Sequence, residues 1–291
     1  MSNRMTPGEK LRKRFEDKTL LVLPGVYDAL SAKCAVAEGF DGLVMGGYAV
    51  AGSRLGQPDV GYLSMTEMAD SLRAITRAVD VPVVADGDTG YGNALSAQRT
   101  FREYAHAGAA AVLFEDQVWP KRCGHMAGKD VVDADLHAKK LRAVADVKAD
   151  DDPLLIARTD SRAVLGLDAA IERGKLYLDS GADALFIEAP QGVEELEKIG
   201  KSFPDTILFA NMIEGGRTPE LTDKDLQDMG FAAVFWPCTA VYTVTKALRH
   251  VFGVLRREGT TKSVDKDMMH FTDYNNFVGL DKYNELDKKY K

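Results

Sequence analysis

The sequence predicts an α/β protein, a (β/α)8 barrel of the TIM type followed by a C-terminal helical arm, on three observations. Eight short apolar runs recur along the chain, segments of helical spacing lie between them, and no linker rich in Pro, Gly or Ser interrupts the alternation. The runs at 20–23, 42–45, 81–85, 110–114, 154–157, 184–187, 207–210 and 232–236 each have the length of a buried parallel strand. Helical spacing appears at 65–79, 94–107, 136–147, 167–178 and 193–203. Ser64 and Thr66 mark the start of the first of these and Asp135 the start of the third, while Gly108, Gly181 and Gly230 suit left-handed helix ends. Eight units favour a closed barrel over an open doubly wound sheet, and 291 residues is an ordinary length for one. After the eighth run, the stripe Val241, Val244, Leu248, Val251, Phe252 and Leu255 predicts a long amphipathic helix. The expected division is a catalytic barrel over 1–258 and an arm over 259–291. The aromatic residues Phe271, Tyr274, Phe277, Tyr283 and Tyr290 would pack that arm on the barrel or on a neighbouring subunit.

Composition narrows the function. Thirty-seven basic residues against 44 acidic ones give a net charge of −7, which offers nothing to hold a polyanion, so no nucleic-acid partner is expected. No apolar run approaches the roughly 18 to 20 residues of a membrane span. Cys34, Cys123 and Cys238 are odd in number and far apart, which argues against a disulfide framework. The basic segment 10–18 precedes an apolar run that meets Pro24 too soon for a signal peptide, and a cytoplasmic enzyme is the expectation.

A barrel places its chemistry at the C-terminal strand ends. Asp86 and Asp88 close the third run, Glu115 and Asp116 the fourth, Arg158 and Asp160 the fifth, Glu188 the sixth, and Asn211 and Glu214 the seventh. Solvated strand ends are the plainer alternative, but five consecutive runs end this way. In Asp86-Gly87-Asp88-Thr89-Gly90 two carboxylates at a Gly-rich bend can point at one hard cation, Mg²⁺ or Mn²⁺, with Asp59 and Glu115 completing an oxygen shell. A calcium loop starting at Asp86 would want Glu at its twelfth position, which is Ala97; an Asx-turn opening the next helix remains the structural alternative. In the loop 117–129, Lys121-Arg122-Cys123-Gly124-His125 sets a thiol among three potential cations, an environment that lowers a thiol pKa. Zinc would need a second close Cys or His pair, which is absent; an exposed basic loop with an incidental cysteine is the other reading.

Lys-Arg-Cys-Gly-His at 121–125 together with Asp-x-Asp-x-Gly at 86–90 resembles the isocitrate lyase and phosphoenolpyruvate mutase superfamily, in particular its methylisocitrate lyase and dimethylmalate lyase branches. The resemblance spans about 24–258 and includes Leu55-Gly56-Gln57-Pro58-Asp59, Glu115-Asp116-Gln117, Ala157-Arg158-Thr159-Asp160, Glu188-Ala189 and 211–219 in order. It implies a barrel, a homotetramer exchanging a C-terminal helix, and a Mg²⁺-dependent reaction on a 2-hydroxy or 2-oxo dicarboxylate. By the same resemblance Asp86 is the direct metal ligand, and Asp59, Asp88 and Glu115 hold the metal's waters. Cys123 is the proton donor on a mobile gating loop, with Lys121 and His125 beside it. Arg158 clamps the α-oxy acid, and Gly46 and Gly47 receive a carboxylate through their backbone. Met45, Tyr48, Gly124, Glu188, Asn211, Pro237 and Tyr242 are the remaining expected substrate contacts.

Departures from the methylisocitrate lyase pattern bear on the substrate. Where those enzymes place two arginines on a third carboxylate, this chain has Tyr242 and Phe271. Each charge-assisted hydrogen bond contributes roughly 1.5 to 3 kcal/mol, so losing two predicts at least a ~100-fold loss for a tricarboxylate. Tyr242 and Phe271 suit an alkyl group instead. Related lyases carry Tyr and Ser around the carboxylate cradle, whereas 43–48 offers Leu43, Met45 and a displaced Tyr48, which either rejoins the site or packs in the core. The expected activity is Mg²⁺-dependent cleavage of a 2-alkylmalate to pyruvate, or a related 2-oxo acid, and a short carboxylate. Oxaloacetate hydrolase and methylisocitrate lyase are the alternatives, ahead of phosphonate mutase or hydrolase activity and of an inert barrel.

Overall fold

In the computed structural model, which describes residues 5–291, eight parallel strands pair in sequence order and close into a barrel, β1 against β8. The first four residues of the expected barrel domain lie outside the described part. The chain forms two compact units that part at Val241 and Tyr242. The first unit holds α1 (Pro7–Glu16), β1 (Leu21–Val26), α2 (Ala29–Ala37), β2 (Leu43–Met45), α3 (Gly47–Leu55), α4 (Met65–Ala78), β3 (Val83–Asp86), α5 (Ala94–His106), β4 (Ala111–Glu115) and α6 (Ala134–Ala145). It continues with β5 (Leu154–Thr159), α7 (Arg162–Leu165), α8 (Leu167–Asp179), β6 (Ala184–Ile187), α9 (Val193–Ser202), β7 (Ile207–Asn211), α10 (Asp223–Asp228) and β8 (Ala233–Trp236). The boundary falls inside α11 (Thr239–Glu258), and a 3-10 turn over Lys262–Asp267 leads to α12 (Phe271–Val278) and α13 (Leu280–Tyr290). Among the described residues no helix is long and apolar enough to cross a membrane.

Strand register divides the core in two. Leu21, Leu23, Val44, Val84, Ala111, Leu113, Leu154, Ile156, Ala184, Phe186, Phe209, Ala233 and Phe235 fill the barrel interior, joined by Leu11 of α1. Their neighbours in sequence, such as Leu43, Met45, Val83, Ala85, Val112, Phe114, Leu155 and Leu185, face outward into the layer between strands and helices. The alternation is the two-residue period of a strand, so it also decides which strand-end residues face inward. Helix α1, which the sequence shows only as a basic segment, starts with Pro7 after a Thr6/Glu9 capping box, and Phe15 meets Phe209 edge-on at 5.9 Å.

The eight runs are the eight strands, with the largest difference at β1. It continues through Pro24 and Gly25, where the sequence suggested a stop. A parallel strand tolerates them here because a side chain on Gly25 would run into the Pro237 carbonyl, 2.1 Å from its would-be Cβ, where β1 closes against β8. Ser64 caps α4 through a box with Glu67, while Thr66 lies inside the helix. Asp135 is not the cap of α6: Asp133 occupies that position and Asp135 is a first-turn acid. Gly108, Gly181 and Gly230 all take positive φ where helices end.

Candidate active site

A partly open cavity of about 70 Å³ sits at the C-terminal mouth of the barrel. Its walls follow from register. In β4, residues 111 and 113 face inward and so does Glu115; in β5 the same parity turns Arg158 inward, in β6 Glu188, in β7 Asn211 and in β8 Pro237. Gly46, Gly47, Tyr48, Asp59, Asp86, Lys121, Cys123, Gly124 and His125 complete the expected lining residues that the structure brings together. Tyr48 therefore joins the site from α3. Met45 does not: its parity places it among the outward core residues. Tyr242 belongs to the C-terminal unit, on α11, and is 38% exposed. Residues the sequence reading passed over form an apolar floor, chiefly Val44, Val84, Leu113, Phe186 and Phe235. Alternation along each strand was the signal that would have found them.

Four carboxylates make one pole of the cavity, and Lys121 sits among them. Its Nζ lies 2.7 Å from Asp59 Oδ1 and 2.6 Å from Asp88 Oδ1. Although burial alone would lower it, the charges of Asp88, Asp59, Asp86 and Glu115 raise the lysine well above its ordinary pKa. Asp88, buried and beside Asp86 and Asp59, is pushed up to about 6 against the pull of Lys121. Asp86 bends the chain: Oδ1 accepts from Asp88 N–H and Oδ2 from Gly47 N–H, each at 3.0 Å. The Asx-type turn and the paired carboxylates thus coexist. Gly47 gives its N–H to Asp86, so the expected cradle for a substrate carboxylate loses that donor. Among the described residues no three His, Cys, Asp or Glu side chains group as a ready metal shell. The donor chemistry still fits a hard, water-rich ion, since it is all carboxylate oxygen and buried Glu115 Oε1 has no hydrogen-bond partner among the described residues. The ammonium already marks where a cation is attracted.

Arg158 forms the second pole. Its Nε and Nη2 donate to the two oxygens of Asp160 at 2.8 and 3.1 Å, Nη2 lies 3.1 Å from Glu188 Oε2, and Nε lies 3.3 Å from Glu115 Oε2. The bidentate face expected for substrate is therefore occupied by Asp160. Burial would raise Glu188, but Arg158 and a hydrogen bond from His125 hold it below the usual carboxylate range. His125 Nδ1 accepts from Arg217 N–H at 3.0 Å, and its Nε2 lies 2.9 Å from Glu188 Oε1. Asn211 Nδ2 donates to Glu188 Oε1 at 3.2 Å and leaves Oδ1 without a partner among the described residues.

The loop carrying Cys123 lies over these groups. Gly124 is needed for that approach, because a Cβ there would come within 2.4 Å of Arg158 Nη2 and 2.5 Å of Glu188 Cγ. The lowered thiol pKa expected from three neighbouring cations is overturned: burial, with the charges of Asp59 and Glu188, pushes Cys123 up to about 11. Lys121 is matched to Asp59 and Asp88, so its charge does not reach the sulfur uncompensated. Burial thus favours the protonated form of the thiol.

A barrel whose mouth joins a carboxylate pole, a guanidinium pole and a thiol in one small cavity defines an enzyme acting on small acids. The chain belongs to the phosphoenolpyruvate mutase/isocitrate lyase superfamily: the family model described as phosphoenolpyruvate phosphomutase matches residues 11–255. It is 43% identical to 2,3-dimethylmalate lyase of Eubacterium barkeri over 98% of this chain and 99% of that one. It is also 43% identical to the chloroplastic carboxyvinyl-carboxyphosphonate phosphorylmutase of Arabidopsis thaliana, over 98% of this chain and 86% of the relative. A crystal structure of 2,3-dimethylmalate lyase superposes with a TM-score of 0.92 at 34% identity, covering 98% of this chain and 96% of its own. Oxaloacetate acetylhydrolase in complex with 3,3-difluorooxalacetate does so with 0.92 at 33%, covering 98% and 97%. Phosphonopyruvate hydrolase in complex with oxalate and Mg²⁺ matches with 0.88 at 29%, covering 98% and 99%.

Proposed function

We propose that this protein is a Mg²⁺-dependent carbon-carbon lyase that cleaves a 2-hydroxy dicarboxylate of the 2-alkylmalate class, such as 2,3-dimethylmalate, to a 2-oxo acid and a short carboxylate. The observation that carries this reading is the protonated Cys123 thiol lining the same cavity as Arg158 and the carboxylate pole. Breaking the bond between C2 and C3 turns the hydroxyl-bearing carbon into a carbonyl and leaves the electron pair on the carbon next to the other carboxylate. That carbon needs a proton, which Cys123, lining the same cavity, would give as a general acid.

Asp86 would hold Mg²⁺, with Asp59, Asp88 and Glu115 on its waters and Mn²⁺ as a substitute. Bound there, the ion supplies charge stabilisation at the oxygen that becomes the carbonyl, worth several kcal/mol. Arg158, which lines the cavity and uses Nε and Nη2 for its ion pairs, would hold the substrate carboxylate through its remaining guanidinium N–H groups. The loop over the cavity excludes the water that would otherwise protonate the fragment without control.

The apolar floor favours an alkyl-bearing substrate over oxaloacetate, and the likeness to oxaloacetate acetylhydrolase keeps that activity as the second reading. Phosphoryl migration, suggested by the phosphorylmutase relative, has no use for a thiol acid. Purified protein with Mg²⁺ should release pyruvate from 2,3-dimethylmalate at least ~100-fold more efficiently than from methylisocitrate, since it lacks two arginines for a third carboxylate. A lactate dehydrogenase coupling reads pyruvate, and oxalate is assayed in parallel with oxaloacetate. Preference for methylisocitrate would overturn the dicarboxylate reading, and oxalate as the main product would move the assignment to the hydrolase.

A further inference from the structure

The loop 117–129 is fastened at its base and at its tip. Gln117 and Val131 form an antiparallel bridge and Val118 N–H donates to Asp130 O at 2.9 Å, so the base is a short hairpin. The tip folds back, with Cys123 N–H donating to Asp59 O at 3.3 Å. Lys121 and His125 also hold the tip, but both line the cavity. Lys129 does not, and its side chain is 3% exposed.

The Lys129 ammonium donates to the Gly124 carbonyl, next to the thiol-bearing residue, and to Asp160 Oδ1 at 2.7 Å. Asp160 is itself firmly anchored. Its backbone N–H donates to Asp116 Oδ1 at 2.9 Å, while Asp116 Oδ2 accepts from Thr159 Oγ1 at 2.7 Å and from Tyr177 Oη and Arg173 Nη1 at 2.9 Å. The same Asp160 carboxylate orients Arg158. One ammonium therefore ties the tip of the loop to the carboxylate that sets the guanidinium.

We propose that Lys129 is a positioning residue that latches the Cys123 loop over the cavity and registers it with Arg158 through Asp160. Its catalytic consequence rests on the lyase reading above, but the latch is a property of the free protein and is measured without turnover. Lifting the tip takes the Gly124 carbonyl away from a buried ammonium that keeps only Asp160. Loss of one charge-assisted hydrogen bond corresponds to roughly a 10- to 100-fold change in the balance of open and closed loop.

The test uses the full chain, Lys129→Met, which keeps the apolar stem, and Lys129→Arg, which keeps the charge. Iodoacetamide labelling of each cysteine is followed by peptide mass spectrometry in the absence of substrate, with exposed Cys34 as the internal standard and Cys238, which lines the same cavity, as a second reporter of opening. In Lys129→Met, Cys123 should react about tenfold faster or more, while Cys34 keeps its wild-type rate. Lys129→Arg should stay within about threefold of wild type. With an acid that the protein turns over, kcat/KM of Lys129→Met should fall by about the factor by which Cys123 labelling rises, a proportion that a merely structural role would not produce. An unchanged Cys123 rate in Lys129→Met overturns the latch, as does faster hydrogen exchange throughout the barrel strands, which would mean general loosening. Absence of lyase turnover in the wild type would count against the function proposed above and leave the labelling result to decide on the latch.

Discussion

Cys123→Ser is expected to lose about 10²- to 10⁴-fold in turnover while still binding pyruvate, the range that a positioned general acid contributes. Serine keeps the shape of the tip, so the cavity should remain intact and the change falls on proton delivery. The wild-type thiol is held in its acid form by burial and by the negative charges of Asp59 and Glu188, which suits donation. A hydroxyl is a far weaker acid and would leave the carbanionic fragment to chance water. Steady-state kinetics together with calorimetric pyruvate binding separates the two effects. Unchanged turnover would remove Cys123 from the mechanism.

Arg158 carries the second large effect, because it is both the proposed substrate clamp and the counter-ion of three buried carboxylates. Arg158→Met should lower kcat/KM at least ~100-fold and destabilise the fold by about 3 to 5 kcal/mol, the usual result of stranding buried charge. For a domain of this size that is a fall of about 10 °C in Tm. The pH dependence gives the sign. In the wild type, although burial raises them, Arg158 and its neighbours hold Glu188 and Asp160 below their ordinary range, so their stabilisation is present at neutral pH and is lost as pH falls below the unfolded carboxylate pKa. Without Arg158 burial dominates and raises them, so the deficit of the variant should shrink as pH falls from 7 towards 4. Thermal unfolding across that range checks it; a deficit that stays constant would mean the guanidinium acts by packing alone. Arg158→Lys should restore much of the stability but little activity, since an ammonium cannot reproduce the fork on Asp160.

The barrel and most of the site were legible in the sequence because both are written in short-range patterns. Apolar runs give strands, polar residues close them, and the mouth of the barrel collects what closes them. Met45 was misplaced because the carboxylate cradle was taken as a stretch of chain; strand parity separates Met45 from Gly46. The direction of the Cys123 shift was missed for a different reason. Along the chain its neighbours Lys121, Arg122 and His125 are cationic, but folding brings Asp59 and Asp88 to Lys121 and Glu188 to His125 from distant strands and loops. Local charge counting cannot see partners that arrive through the fold. Asp160 and Lys129 stayed unassigned because their importance lies in a shared hydrogen-bond network. The outward parity of Asp116, which anchors that network to Tyr177 and Arg173 of α8, is visible only once β4 has its register.

A fixed acid is proposed to protonate the carbon released by C2–C3 cleavage inside the cavity. Turnover of 2,3-dimethylmalate in deuterium oxide tests it directly through the propionate formed beside pyruvate. The account predicts one deuterium at carbon 2 of propionate, in a single configuration. An equal mixture of both configurations would show that free water, not a positioned thiol, completes the reaction.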